Sequence, residues 1–179
     1  MDFQQSETYK NLLKAYEAEL LTSAKFEINA DIAQYETYIE IRNLFMFTAN
    51  NNRQHARIWL RKMNQGNLPT TVQNLLESTR IETQMASDMY QQFAETARRE
   101  GFLEIAALFS GVANIDYFHA ATFSTIYENI MNEQYFCKPV NVLWICLQCG
   151  NILSGECAPL ICPVCGFPQG YYKLFQNVY

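Results

Sequence analysis

Across the first three quarters of the chain, apolar residues recur at spacings of three and four, the period of a helix that buries one face. Only Gly66 and Pro69 interrupt residues 1–100, and they bracket N-Q-G-N-L-P-T, a turn with a helix start after the proline. Gly101 and Gly111 are the next glycines. The pattern predicts four long helices, at about 6–36, 38–64, 70–99 and 102–132. From Trp144 onward the composition turns to Gly, Pro, Cys and short apolar pieces. That shift predicts a helical domain over 1–134, a small β/loop module over 142–179, and an extended link over 135–141 that contains Pro139.

The helical part repeats itself. A-D-I-A-Q-Y-E-T-Y-I-E-I-R-N-L-F matches A-E-T-A-R-R-E-G-F-L-E-I-A-A-L-F at an offset of 64, from Ala30 to Ala94 and from Phe45 to Phe109. Such a match predicts two similar helix hairpins and an up-down-up-down bundle. At the same offset Asn52 meets Asp116 and His55 meets His119, and these are the chain's two histidines. Each histidine follows a polar residue three places earlier, so each pair shares a helix face. Two histidines in register within a repeat point to a shared buried site. A di-metal bundle of this kind also needs acids from the first and third helices. Glu19 and Glu82 are candidates, but spacing alone does not separate them from Glu17, Glu27, Glu77 or Glu95.

The sharpest chemistry lies near the C-terminus. Cys146 and Cys149 stand in C-L-Q-C-G, Cys162 and Cys165 in C-P-V-C-G, with twelve residues between Cys149 and Cys162. Each C-x-x-C-G is a tight knuckle that aims two thiolates at one metal, and its glycine lets the chain turn where a side chain would clash. Two knuckles make a closed tetrahedral four-sulfur site suited to iron or zinc. The competing reading is a pair of disulfides. Cys137 and Cys157 fall outside the knuckles and are expected to be bystanders.

Composition narrows the function classes. A net charge of −5 argues against a nucleic-acid partner. The segment M-D-F-Q-Q-S-E-T-Y-K has no apolar signal region, and L-E-I-A-A-L-F-S-G-V-A-N-I is too short for a membrane span and carries Glu104. These features lead us to expect a soluble, cytoplasmic protein with no membrane contact.

With these residues in view, the chain resembles the rubrerythrin family, a ferritin-like four-helix bundle followed by a rubredoxin-like iron domain. L-W-I-C-L-Q-C-G-N-I-L-S-G-E-C-A-P-L-I-C-P-V-C-G-F-P is similar to the family's rubredoxin module, and K-N-L-L-K-A-Y-E-A-E to its first helix. D-M-Y-Q-Q-F-A-E-T-A-R-R-E-G-F-L-E-I-A sets the register of the later helices. The resemblance implies Glu19, His55, Glu82, Asp116 and His119 as bundle metal ligands, with Phe26 and Tyr90 where the family carries tyrosines beside the site. It also exposes departures. Asn52 and Met85 stand where the family has glutamates, and Asp116 is one methylene shorter than the glutamate it replaces.

The resemblance implies reduction of hydrogen peroxide at a di-iron centre. Electrons would come from a separate reductase or rubredoxin through the four-cysteine iron, in a homodimer. No G-x-G-x-x-G fingerprint is present, so a nucleotide would be handled by a partner. Two further readings stand beside it. One is a divergent member with an altered or empty bundle site, acting as electron carrier, redox sensor or metal-binding protein. The other is a zinc protein with purely structural knuckles.

Overall fold

A computed structural model describes residues 2–176. The chain divides into two compact units, Met1–Pro69 and Thr70–Tyr179. No helix is long and apolar enough to cross a membrane among the described residues.

The first unit is a helical hairpin of α1 (Glu7–Tyr35) and α2 (Ile39–Met63). Ser6 starts α1, its hydroxyl accepting the Tyr9 amide at 3.1 Å. Small residues line the seam between the helices: Ala30, Ala33, Ala49 and Ala56 are buried, and the Ser23 hydroxyl donates to the Ala49 carbonyl at 2.9 Å. Short side chains let the two backbones approach closely. Phe26 stacks on Phe45 across the two helices, with ring centroids 5.9 Å apart.

The second unit repeats this design and adds the strand module. It begins with α3 (Thr71–Gln84), opened by a full capping box: the Gln73 amide donates to the Thr70 hydroxyl, and the Gln73 side chain accepts the Thr70 amide at 2.8 Å. A π-helical segment, Met85–Tyr90, leads into α4 (Gln91–Arg99), and α5 (Leu103–Met131) completes the hairpin. The third helix expected from the sequence is therefore not a uniform α-helix. Its seam is built from Ala94, Ala97, Ala113 and Ala120, each 64 residues after its counterpart in the first hairpin, and Tyr90 lies against Phe109 at 6.0 Å.

Even the hairpin turns correspond. Tyr38 donates its amide to the Ala33 carbonyl and Phe102 to the Ala97 carbonyl, both at 2.8 Å. The left-handed residue is Thr37 (φ 66°) in the first turn and Gly101 (φ 88°) in the second. Each hairpin on its own leaves large apolar side chains outside its alanine seam, Ile28, Leu44 and Phe47 in the first and Leu108, Ile115 and Phe118 in the second.

After α5 the chain enters a three-stranded antiparallel sheet in the order β2-β1-β3. The strands are β1 (Cys137–Cys146), β2 (Ile152–Cys157) and β3 (Tyr172–Leu174). Trp144, Cys146, Ala158, Cys162 and Tyr172 form its core, with Phe136, Val142, Leu153, Cys165 and Leu174 packed around them. The Trp144 indole donates to the Gly155 carbonyl at 3.1 Å, so the buried ring keeps its polar atom satisfied. From Cys137 onward, the stretch expected to be an extended link forms the start of β1. Cys137 and Cys157 are not bystanders: they face each other across β1 and β2 and form a disulfide. Their pairing joins strands whose register no linear spacing in the sequence reveals.

Candidate metal centres

Each knuckle is a tight five-residue turn closed by the same hydrogen bond. The Gly150 amide donates to the Cys146 carbonyl and the Gly166 amide to the Cys162 carbonyl, both at 2.9 Å. The two glycines have φ of 77° and 74°. That left-handed backbone is why glycine stands there. Crowding is not the reason, because a Cβ at either position would meet nothing within 4 Å.

The two knuckles bring four sulfurs together. Cys146 Sγ lies 3.8 Å from Cys165 Sγ, and Cys149 Sγ 3.8 Å from Cys162 Sγ. A tetrahedron with metal–thiolate bonds of ~2.3 Å has edges of about 3.8 Å, so the sulfurs already sit at the corners of such a site. Disulfide pairing of the knuckles would need sulfurs in covalent contact, at about 2.05 Å. All four are free thiols, so the donor set fits a metal and not two bridges.

The electrostatics of the four thiols agree. The Tyr172 hydroxyl donates to the Cys162 sulfur and, with help from the Cys165 and Val164 amides, overcomes burial to hold that thiol down to about 6. Cys165 is pushed up to about 12: the Phe167 amide favours its thiolate, but burial and the three neighbouring sulfurs outweigh it. Four thiolates packed this closely repel one another, and a cation relieves that repulsion. Tyr172 is itself buried, with its own ionisation pushed up by that burial and by Cys162. Nothing in the sequence pattern separates Tyr172 from the neighbouring Tyr171 and Phe175 as the one that donates to a ligand sulfur.

The helical hairpins each carry one carboxylate–histidine pair. In the first, His55 Nδ1 lies 3.4 Å from Glu19 Oε1. In the second, His119 Nδ1 lies 3.3 Å from Glu82 Oε2 and 3.9 Å from Asp116 Oδ1. Glu82, Asp116 and His119 form a group whose ligand atoms all lie within 4.8 Å of one another. Asp116 is only 7% exposed, and its Oδ2 is buried without a hydrogen-bond partner. Burial, then the Glu82 charge, pushes its carboxyl above the ordinary range, with His119 pulling the other way. A desolvated, unpaired carboxylate oxygen next to a second carboxylate and an imidazole is a donor set that fits a cation. Glu27, one of the acids that spacing could not exclude, is paired with Arg53, and Glu77 is paired with Arg80 at 2.7 Å.

The π-helix explains the register of these acids. Glu19 and Glu82 are 63 residues apart, as are the seam residues Ser23 and Ala86, yet Phe26 and Tyr90 are 64 apart. The second hairpin therefore holds one extra residue between Ala86 and Tyr90, and the π-helical turn at Met85–Tyr90 absorbs it. Without that turn, Glu82 and the Ala94 seam could not both face α5. Met85 opens the segment and is half-buried, as is Asn52 in α2.

Comparisons with known proteins agree with both parts. The family model described as Rubrerythrin matches residues 10–127, and that described as Rubrerythrin, rubredoxin-like domain matches residues 144–173. Rubrerythrin-1 of Clostridium acetobutylicum is 31% identical, covering 97% of both chains. The rubrerythrin of Clostridium perfringens is 33% identical, again over 97% of both. That of Nitratidesulfovibrio vulgaris is 29% identical over 94% of both. Mainly helical, ferritin-like in its first part and rubredoxin-like in its second, the chain belongs to the rubrerythrin family.

Proposed function

We propose that this iron protein reduces hydrogen peroxide at a metal centre held by Glu19, His55, Glu82, Asp116 and His119. Electrons reach that centre through an iron held by Cys146, Cys149, Cys162 and Cys165. The observation that carries the reading is the Glu82–Asp116–His119 group with its buried, unpaired Asp116 Oδ2. When bound there, iron supplies the redox chemistry that splits the O–O bond. The chain's own residues do the rest. Glu82 and Asp116 hold negative charge where a cation is needed, and each histidine presents Nδ1 to a carboxylate. The four thiolates leave no open position for a substrate, so the knuckle module passes electrons and does not bind peroxide.

The remaining assignments follow from the same reading. Residues 1–134 form the peroxide-reducing domain and 142–179 the relay domain. A separate reductase or rubredoxin donates the electrons, and the protein works as a cytoplasmic homodimer in oxidative stress.

A second reading is favoured by Asn52 and Met85. Both are neutral, so the proposed site holds three carboxylates, supplying −3 against the +4 of two ferrous or +6 of two ferric ions. A centre so short of charge suits an electron carrier or redox sensor better than a peroxidase.

The test is iron analysis and peroxide consumption by protein grown with iron, with a chemical reductant as electron source. His119→Ala should retain the visible absorbance of the sulfur-bound iron and lose peroxide reduction. Cys149→Ser should lose that absorbance and, with it, multiple turnover. Turnover unchanged in both variants would overturn the proposal. A wild-type protein with full knuckle iron and no turnover would select the second reading.

A further inference from the structure

We infer that Cys137 and Cys157 form a second redox site, a reversible two-electron thiol–disulfide pair that works independently of any metal. Three observations converge on it. The two residues are register partners across β1 and β2, with Cα atoms 4.0 Å apart, and they are bonded. Cys157 is exposed and Cys137 half-buried, so a reagent can reach the sulfurs from solvent. Cys137 also lines a groove of about 390 Å³ with Ile130, Glu133, Tyr135, Phe136 and Gln169, wide enough to admit a small thiol.

The same module argues that the bond is reversible and not a permanent staple. Its four knuckle cysteines are free thiols and must stay reduced to hold a metal. The protein therefore works where thiols are kept reduced, and a disulfide formed there is open to reduction. The sheet does not need the bond to close. Immediately beside it the Ala158 amide donates to the Phe136 carbonyl at 2.9 Å, and the Gln169 side chain donates to the Ala158 carbonyl at 2.6 Å. On the other side, the ladder resumes only at Val142↔Gly155, after a bulge that sets Lys138, Pro139, Val140 and Asn141 against Glu156 alone. The pair sits at the end of the sheet, outside the Trp144 core. Both redox states are thus compatible with the fold.

The chemistry balances with reagents of known class. In oxidation, the exposed Cys157 thiolate attacks hydrogen peroxide, the O–O bond breaks, hydroxide leaves and takes up a proton as water, and a sulfenic acid forms on Cys157. The Cys137 thiol then attacks that sulfur, the S–O bond breaks, a second water leaves, and the disulfide closes. Two thiols and one peroxide give one disulfide and two waters. In reduction, a thiolate of a small dithiol attacks Cys157 and expels Cys137 as the thiolate. The second thiol of the reagent then releases Cys157, and the reagent leaves as its cyclic disulfide.

The experiment uses the full-length, iron-loaded protein. It is treated with dithiothreitol, desalted, given hydrogen peroxide in excess of what its irons can consume, and sampled by alkylation and peptide mass analysis, while iron per chain after desalting and visible absorbance after reoxidation report the knuckle iron. The expected result is selective: Cys137 and Cys157 become alkylatable after dithiothreitol and are lost together as a disulfide after peroxide. The iron absorbance still reports a filled knuckle site, and Cys137→Ser or Cys157→Ser abolishes the disulfide. Equilibration of wild-type protein in glutathione buffers of graded ratio gives the same answer without variants, as a smooth two-electron titration. The proposal is overturned if dithiothreitol opens the bond only when the knuckle iron is lost. It is equally overturned if peroxide leaves both cysteines as thiols or oxidises the knuckle cysteines first.

Discussion

Replacing Asp116 by asparagine should have opposite effects on the metal-free and metal-loaded protein. In the structure Asp116 is 7% exposed, its Oδ2 has no partner, and Glu82 stands beside it. Its folded-state pKa lies above the ordinary 3.8, through burial first and Glu82 second. A carboxyl raised in this way lends its full stability below the unfolded value, and that stability is lost as pH rises through the folded value. The metal-free second hairpin is therefore destabilised at neutral pH and relaxes in acid. The asparagine amide would keep the shape and the polarity but remove the charge and its repulsion of Glu82, relieving a penalty of about 1 kcal/mol, the difference between charged and neutral buried groups. For a chain of this size that is a rise of about 2–4 °C in midpoint. The assay is thermal and urea unfolding of chelator-treated protein at pH 4 and pH 7, followed by far-UV circular dichroism. Metal-free Asp116→Asn should be more stable at pH 7 and flatter between the two pH values, while the same variant grown with iron should carry less bundle iron per chain. A less stable metal-free variant with an unchanged pH slope would refute the reasoning, because Oδ2 would then have had a partner worth keeping.

Three further outcomes are expected. Thr37→Gly should stabilise the first hairpin by about 0.5–1 kcal/mol in urea unfolding, because a β-branched residue at φ 66° stands where the repeat uses Gly101. Deletion of Ser87 should convert the π-helical turn to regular α-helix and swing Glu82 by about 100° away from His119. Helicity by circular dichroism would then persist while bundle metal, measured per chain, is lost. Tyr172→Phe should lower the knuckle iron's potential by ~20–60 mV in spectroelectrochemistry, since hydrogen bonds to sulfur favour the more negative ferrous state. The same variant should slow metal uptake between about pH 6 and pH 7, because Cys162 would no longer be held down to about 6.

The features that could be read from the sequence are those written in local chemistry. Helix spacing, the break at Gly66–Pro69 and the repeat from Ala30 to Ala94 predict the hairpins, and the structure carries that repeat into alanine seams, aromatic pairs and turn hydrogen bonds. The knuckles were equally legible, because a C-x-x-C-G pair encodes both the ligands and the turn that aims them. The π-helix was hidden. One extra residue among Ala86–Tyr90 leaves the apolar pattern of a long helix almost unchanged, and only comparing the offset before and after it exposes the insertion. Cys137–Cys157 was hidden for a different reason: it depends on strand register across a bulge, a non-local property. Tyr172 lay among several aromatics, and only the fold distinguishes the one that reaches a ligand sulfur.

The central claim joins the relay cysteines to peroxide reduction at the helical site. It is tested most directly by stopped-flow mixing of fully reduced, iron-loaded protein with hydrogen peroxide, following the return of the knuckle iron's visible absorbance. The account predicts rapid reoxidation that His55→Ala and His119→Ala each abolish, with the knuckle iron still present in both variants. Slow reoxidation, indifferent to both histidines, would contradict it.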